Sequence, residues 1–441
     1  MLPKVIFREY DIRGIVGKDL NTEIAELVGK AFGTYIKGSV VIGRDNRPSS
    51  KSLRDALVKG LLSTGCNVLD AGTIPTPVLY FSIIHYKKVG GVMITGSHNP
   101  KEYNGFKLCK NTSTLYGKQI MKIKHIIDSK KFREGKGRLT HADPRNAYIA
   151  MVKSKVKLCK KLKVVIDCGN GTGSFIAPKL FKSLGCKVVP LYCTSNPDFP
   201  HHLPDPVVPK NLRDLIKKVK SVKADVGLAF DGDADRLGVV DSKGRIYWGD
   251  QLMIIFARDL LSRKKKSKVL VEVKCSNALC DEIKKHGGIP ILWKTGHSLI
   301  KAKMKEENAL LAGEMSGHMF FRENYYGFDD ALYAGAKLLS IISSCNANIS
   351  AMLRDIPKYY TSPEIRVACP DDKKFEVVEM LKKYFKKRYK VLTIDGVRVD
   401  FGDGWALVRA SNTQPVLVLR FEAKSKKRLK EIKKIVYARL K

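Results

Sequence analysis

The chain has 441 residues, 44% of them hydrophobic, and 81 basic against 43 acidic side chains give it a net charge of +38. At roughly 100–200 residues per domain, this length accommodates two to four domains, and the apolar fraction excludes an intrinsically disordered chain. The longest apolar runs, such as Leu252 to Ala257, fall far short of the roughly 20 residues needed to cross a bilayer, so no membrane partner is expected.

The opening MLPKVIFREYDIRG carries charges at Lys4, Arg8, Glu9 and Asp11 and lacks the apolar stretch of a signal peptide. The ten cysteines include no C-x-x-C pair. They read as reduced, mostly buried thiols of a cytoplasmic protein, with zinc not expected. The basic excess fits either a polyanion-binding surface or a solvated lysine-rich one. The longest basic run is only Arg263 to Lys266, and other lysines recur along helix-like faces at 216–223 and 429–441. That spread favours an anionic small substrate and no specific nucleic acid.

In chain order, Val40 to Ile42 reads as a strand. SLRDALVKGLLSTG (52–65) reads as a helix with Leu53, Ala56, Leu57 and Leu61 on one face and Gly65 near its end. CNVLDAG is strand-like, PVLYFSIIHY helical and GVMIT a strand again. The alternation restarts at LKVVID, beginning at Leu162. It runs through a glycine-rich turn, SFIAPKLFKSLG, CKVVPLY, a proline-rich loop, the helix NLRDLIKKVK and the strand DVGLAF (225–230). A third series comprises helix QLMIIFARDLLS, strand KVLVEV, helix NALCDEIKKHG, strand PILWK and helix SLIKAKMKEEN, leading to LLAGEMSGHMFF. Such alternation predicts three consecutive α/β domains with open sheets covered by helices. The remainder differs: EIRVACP, VLTIDGVRV, WALVRAS and VLVLRFEA read as strands among two lysine-rich helices, a small α+β domain. The expected divisions are 1–142, 143–245, 246–357 and 358–441.

Ligands of open α/β sheets sit outside the carboxyl ends of strands. Each expected domain places its most chemically suggestive loop there: TGSHNP after GVMIT, DGDADR after GLAF, EMSGH after LLAG and ASNTQP after WALVR. DGDADR (231–236) carries Asp231, Asp233 and Asp235 within five residues. Alone it could be a solvated acidic turn. Held tightly between the strands VGLAF and LGVVD, it reads as an all-oxygen site for a hard cation, magnesium before zinc. The Gly and distant Glu of an EF-hand loop are missing.

TGSHNP offers Ser97 as a nucleophile, with His98, Lys107 and a metal to activate it or neutralise a phosphoryl product. An Asn-Pro turn with an incidental Ser and His reads as well from this loop alone. GEMSGH (313–318) suits sugar hydroxyls, or is a tight turn with a satisfied Glu. RASNT (409–413) joins a guanidinium to small donors, a phosphate-binding combination, or is a polar hairpin loop. Lys274 and His297 also lie just past strand ends. DCGNGTGS (167–174) has G-x-G-x-G rather than dinucleotide spacing, and close helix–strand packing explains its glycines.

Taken together, these motifs resemble the α-D-phosphohexomutase family, and within it the bifunctional phosphomannomutase/phosphoglucomutase branch. The resemblance covers essentially the whole chain through FREYDIRG (7–14), GRDNRPSS (43–50), TGSHNP, DGDADR, WKTGHSLIK (293–301), GEMSGH and RASNT. It implies four domains around a central cleft and reversible phosphoryl transfer between O1 and O6 of mannose or glucose. The transfer would pass through phosphoserine 97 and a hexose 1,6-bisphosphate, with glucose 1,6-bisphosphate as activator. It implies Mg2+ held by Asp231, Asp233, Asp235 and a phosphoserine oxygen at Ser97. Arg236 would orient the phosphoryl group, and Glu314 and Ser316 would bind the sugar O3 and O4. Arg409, Ser411, Asn412 and Thr413 would grip the non-reacting phosphate. Tyr10, Arg13, His98, Lys107, Lys274, His297 and His318 match cleft positions for contacts or proton transfer. Met315, where the phosphoglucosamine branch commonly has Gln, points to glucose or mannose. A monomer is expected, with a dimer as the alternative. A phosphatase using an Asp of DGDADR as nucleophile and a basic nucleic-acid-binding protein are the rival readings.

Overall fold

A computed structural model describes residues 4–345, 347–411 and 415–440 of the chain. Four sheets follow one another in sequence. The first is 7-stranded. Its inner strands Gly90–Ile94, Val40–Arg44 and Val68–Thr73 run parallel, while Tyr103–Lys110 joins antiparallel beside Gly90–Ile94 and carries Ile12–Ile15 at the edge. The Val40–Arg44 and Gly90–Ile94 strands show no apolar–polar alternation because helices cover both faces of the sheet.

The second sheet is 5-stranded. Val226–Phe230, Lys163–Asp167 and Lys187–Leu191 are parallel, and Leu237–Asp241 pairs back antiparallel on Val226–Phe230. The third is 4-stranded, with Ile289–Trp293, Lys268–Glu272 and Leu311–Gly313 parallel and Met319–Phe321 antiparallel. The last is a 6-stranded antiparallel sheet backed by helices Lys374–Lys386 and Lys426–Tyr437. The architecture is therefore three mixed open α/β units followed by an α+β unit.

Two details differ from the sequence-based expectation. GVMITGSHNPKEYNGFK closes into two antiparallel strands, which sets Lys107 directly opposite Met93. VLTIDGVRV is a hairpin rather than one strand: Lys390–Leu392 pairs with Val397–Asp400 around Asp395-Gly396, and Gly396 takes the left-handed φ (76°) that such a turn requires. The short strand Ile246–Tyr247, next to the expected division at 245, pairs with Leu237–Asp241 at the edge of the second sheet.

One apolar core runs through the first three units, from Tyr80 and Phe81 through Tyr148, Phe181 and Phe230 to Phe256 and Phe328. The fourth unit has its own core around Leu381, Phe385, Leu419 and Phe421. A small cluster of Val273, Trp405 and Leu407 joins it to the third. Among the described residues no helix is long and apolar enough to cross a membrane.

A buried carboxylate ties the second and third units together. Asp330 caps the helix Ala331–Ser344 by accepting the Tyr333 amide and also accepts the hydroxyls of Tyr148 (2.7 Å) and Tyr325 (2.6 Å). Burial pushes its pKa up to about 6, against the hydrogen bonds that favour the charged form. Asp330→Asn keeps the helix cap but sets an NH2 or a single carbonyl against two buried hydroxyls. It should cost about 1–3 kcal/mol in denaturant unfolding. A folded-state pKa raised above the unfolded value favours the protonated folded form, so this contribution is complete below the unfolded pKa and is lost as pH rises through about 6. The stability gap between wild type and variant should accordingly be wider at pH 5 than at pH 8. An equal gap at both would show that Asp330 does not titrate in this range.

Candidate active site

Three of the strand-end loops, those of Ser97, Asp231 and Glu314, meet. Ser97 follows the strand Gly90–Ile94 in a left-handed backbone conformation (φ 50°) that is costly for a residue with a side chain. Its amide donates to the Thr95 hydroxyl at 2.8 Å. Its hydroxyl donates to Asp231 Oδ2 at 2.9 Å and lies 3.2 Å from His98 Nδ1. The loop has almost no slack. A Cβ on Gly232 would lie 2.3 Å from the Ser97 carbonyl oxygen, so the serine loop and the acidic loop approach as closely as they do only because Gly232 is glycine.

Asp231, Asp233 and Asp235 are each 0% exposed, and their oxygens lie within 4.8 Å of one another. Burial, then the charges of Asp235 and Asp233, push the Asp231 carboxyl well above the usual range. Lys107 answers part of this charge, reaching Asp233 Oδ2 at 2.8 Å and Asp235 Oδ2 at 2.5 Å. Burial alone would lower the lysine pKa, but the two carboxylates raise it, so Lys107 stays charged. Thr76 donates its hydroxyl to Asp233 Oδ2 at 2.6 Å, while Oδ1 of Asp233 is buried without a hydrogen-bond partner. An all-oxygen cage with one lysine among three carboxylates and an orphaned oxygen fits a hard divalent cation.

His318, from GEMSGH, stands between Glu314 (Nδ1–Oε2, 2.6 Å) and Asp235 (Nε2–Oδ1, 3.2 Å). Burial opposes charge on the ring, yet these carboxylates push its pKa up to about 9. His297 stacks on it at 5.6 Å. Burial lowers the His297 pKa despite Asp329, whose Oδ2 lies 3.4 Å from its Nδ1. The stacked pair thus sets a ring pushed toward its charged form beside one pushed toward its neutral form. Arg236 Nε lies 3.3 Å from His318 Nε2.

Glu314 also accepts the Gly296 amide at 2.6 Å, and Ser316 donates to it at 3.1 Å. Glu314 is thus satisfied within the protein, as the tight-turn alternative for this loop expects. Tyr10 donates to the Thr295 carbonyl at 2.8 Å, bringing the first unit to the third. Arg13 pairs with Asp11 at 2.6 Å. Lys274 sits 3.3 Å from Glu272 and 3.2 Å from Glu364. Arg409 pairs with Asp395 at 3.0 Å, and the Ser411 carbonyl accepts from Lys374 at 2.6 Å. Asn412 and Thr413 lie outside the described residues.

Residues absent from the sequence-based list do much of the positioning. Arg47, 3% exposed, donates from Nη2 to the carbonyls of Ser97 (2.9 Å) and Asn99 (2.5 Å) and from Nη1 to that of Pro100. Asp45 holds Arg47 Nε at 3.0 Å and accepts the Gly96 amide at 3.0 Å. A Cβ on Gly96 would lie 2.5 Å from Arg47 Nε. Glu272 accepts from Thr295 Oγ1 (2.6 Å) and the Met315 amide (3.1 Å), tying the sugar-type loop to Lys274. Asp329 pairs with Lys301 at 2.8 Å, and Lys301 reaches Thr114 and Tyr80 of the first unit. The signal available for Arg47 is the D-x-R pair in GRDNRPSS straight after a buried strand, where Asp45 and Arg47 can satisfy one another locally.

A hydroxyl beside a carboxylate cage, backed by cations and by a stacked pair of imidazoles, is the layout of an enzyme that moves charged groups by positioning and electrostatics. The chain matches four successive family descriptions: phosphoglucomutase/phosphomannomutase alpha/beta/alpha domain I over residues 4–134, domain II over 146–244, domain III over 248–360 and the C-terminal domain over 364–439. It therefore belongs to the phosphoglucomutase/phosphomannomutase family of isomerases. The phosphomannomutase/phosphoglucomutase of Pseudomonas putida is 46% identical over 444 residues, covering 100% of this chain and 96% of that one. A phosphoglucomutase of Neisseria meningitidis is 45% identical over 436 residues, covering 97% and 95%. The crystal structure of a phosphoglucomutase/phosphomannomutase family protein from Burkholderia thailandensis superposes with a TM-score of 0.94 at 41% identity, covering 100% and 98%.

Arg47→Lys keeps the charge but loses the fork that spans three carbonyls. Released from it, Ser97 should drift from its hydroxyl position, and kcat should fall by about 10- to 100-fold with KM little changed. Wild-type kcat in a variant that melts normally would mean the clamp does not position the serine.

Proposed function

We propose that this chain interconverts hexose 1-phosphates and hexose 6-phosphates of mannose and glucose through phosphorylated Ser97 and a hexose 1,6-bisphosphate. The observation that carries this reading is the Ser97 hydroxyl, 2.9 Å from Asp231 at the mouth of the buried acid cage. Asp231, Asp233 and Asp235, with a phosphoserine oxygen, would hold Mg2+, which when bound neutralises charge on the phosphoryl oxygens. Lys107 and Arg236 flank the same oxygens with fixed positive charge, so their stabilisation needs little reorganisation as the phosphoryl group moves. Glu314 and Ser316 orient the sugar ring. Arg409 and Ser411, with Asn412 and Thr413, bind the phosphate that does not react. Tyr10, Arg13, His98, Lys274, His297 and His318 line the path between. Glucose 1,6-bisphosphate would serve as both intermediate and activator, charging Ser97 when it is unphosphorylated.

The bisphosphate must turn end for end between its two transfers. The separate core of the fourth unit supports movement of the phosphate-binding loop during that turn. Phosphosugars are the partners this reading requires, and it gives nucleic acid no role. Ten free cysteines fit a reducing compartment such as the cytoplasm.

Ser97→Ala removes the phosphoryl acceptor, and mutase turnover should drop by roughly 1,000-fold or more. Intact-mass analysis after exposure to glucose 1,6-bisphosphate should show a phosphoryl adduct on wild type alone. Full turnover by the alanine variant would refute the phosphoserine cycle. Chelation should stop turnover of the wild type, and added Mg2+ should restore it. In a coupled assay read alongside free phosphate, mannose 1-phosphate and glucose 1-phosphate should be converted with little phosphate release and glucosamine 1-phosphate only slowly. Preference for glucosamine 1-phosphate would overturn the sugar assignment, and stoichiometric phosphate release would replace the mutase with a phosphatase.

A further inference from the structure

Behind the acid cage, two cysteines face each other. Cys168 follows the strand Lys163–Asp167 and Cys193 follows its parallel neighbour Lys187–Leu191, whose last registered pair is Asp167 opposite Leu191. Their Sγ atoms are 3.1 Å apart. Cys168 is buried, whereas Cys193 is only half-buried. The loops that carry them are bound together along their length. The Cys168 amide donates to the Leu191 carbonyl at 3.2 Å, the Asn170 amide to the Tyr192 carbonyl at 2.9 Å, and the Asn196 amide to the Asn170 carbonyl at 3.0 Å. The Asn170 side chain donates to the Thr194 carbonyl at 2.8 Å. Bringing the sulfurs to the ~2.05 Å of a covalent bond needs only about 1 Å of further approach.

We propose that Cys168 and Cys193 are a modification site: a peroxide-class oxidant joins them in a reversible disulfide, and that disulfide slows the enzyme. Cys193, the less buried of the two, is attacked first. Its sulfur takes an oxygen from hydrogen peroxide as the O–O bond breaks, giving a sulfenic acid and one water. The Cys168 sulfur then attacks the sulfenic sulfur. The S–S bond forms, the S–O bond breaks, and the departing hydroxyl leaves with the Cys168 proton as a second water. Two thiols have lost two electrons and two protons, and one peroxide has been reduced to two waters. Burial keeps the Cys168 thiol protonated, which shields it from direct oxidation. Its contact with Cys193 makes the second step effectively intramolecular.

The disulfide would act on turnover through the backbone. Cys168 opens the short loop that ends at Thr172, and Thr172 holds the Gly232 carbonyl with both its amide (2.9 Å) and its hydroxyl (3.0 Å). Gly232 stands between Asp231 and Asp233. The same loop pair receives Asn46 of the first unit, whose Nδ2 donates to the Asn170 carbonyl (2.8 Å) and to Ser195 Oγ (2.9 Å). Any backbone shift of Cys168 toward Cys193 would pull on these contacts, because the Gly171 amide is bonded back to the Cys168 carbonyl at 2.8 Å.

The test is a hydrogen peroxide titration of the full chain, mapped by mass spectrometry under non-reducing conditions alongside turnover. The Cys168–Cys193 cross-link should appear, turnover should fall severalfold in step with it, and dithiothreitol should reverse both. Cys193→Ser, checked for a normal melt, should keep its turnover under the same treatment. Exposed Cys159 serves as the internal dose marker. Three results would overturn the proposal: no cross-link at doses that oxidise Cys159, a cross-link with undiminished turnover, or equal peroxide sensitivity in Cys193→Ser. The cross-link is read by mass, so its presence or absence stands apart from whether the proposed mutase cycle is correct.

Discussion

Three carboxylates buried at the tip of one loop are the constraint around which the other domains are arranged. Two unit charges about 4 Å apart repel by about 4 kcal/mol at an effective dielectric of 20, and this cage holds three. The relief comes from elsewhere in the chain. Lys107 and Thr76 of the first unit reach Asp233, Lys107 also reaches Asp235, and His318 of the third unit closes on Asp235 from the far side. Docking of the first and third units onto the second is thus partly an electrostatic requirement of the acid loop. A chain with the same sheets but without these partners would have to protonate the cage or expose it. Three neutralising contacts from two domains still leave an orphaned Asp233 oxygen, and that deficit makes the cage a place for a cation and for an anion that shares it.

The serine faces the opposite problem. Its charge demands are small while unphosphorylated, but its backbone conformation is costly, by about 1–3 kcal/mol for a residue with a Cβ. The cost is offset by a clamp that is itself expensive. Burial lowers the Arg47 pKa, against the support of Asp45, and a buried guanidinium is tolerable only when its donors are satisfied. Here they are satisfied by the carbonyls of the serine loop. The same hydrogen bonds that permit Arg47 inside the protein hold Ser97 over the cage, so rigidity and burial are one arrangement.

Much of this was legible in the sequence because strand ends are legible. Apolar runs such as GVMIT and VGLAF announce buried strands, and in open α/β sheets polar residues immediately beyond them lie at one edge of the sheet. The serine, the three aspartates and Glu314 follow from that rule; Arg409 stands inside the strand Gly404–Ala410 of an antiparallel sheet and was legible only by residue type and resemblance. What sequence did not disclose is pairing at a distance. Nothing local to Asp329 says that it meets Lys301 and His297, nor does KVLVE say that its Glu272 will hold Thr295 and Met315. The hairpin at Asp395 was read through because its flanks are continuously β-prone, although Asp-Gly is a strong turn signal. That miss had a consequence: Asp395, the partner of Arg409, sits in the unrecognised turn.

The fourth unit shows how a site can be both held and released. Its core is its own, and its attachment to the third unit consists of one small apolar cluster and a set of polar ties. Glu422 accepts from the Asn277 amide, Arg398 donates to Asn277 Oδ1, and Arg420 pairs with Asp250. Polar ties can exchange for water at modest cost, whereas a shared apolar core cannot. At the cleft, Asp395 accepts both Arg409 Nε of its own unit and the Thr295 amide of the third, so one carboxylate is shared between the arginine and the neighbouring unit. An arriving phosphate competes with Asp395 for that arginine. A phosphate that took over Arg409 would leave Asp395 with the Thr295 amide alone, so substrate changes the load on one of the ties between the fourth unit and the third. In the proposed cycle, phosphate binding and the seating of the last unit are linked through Asp395, which the arginine and the third unit share.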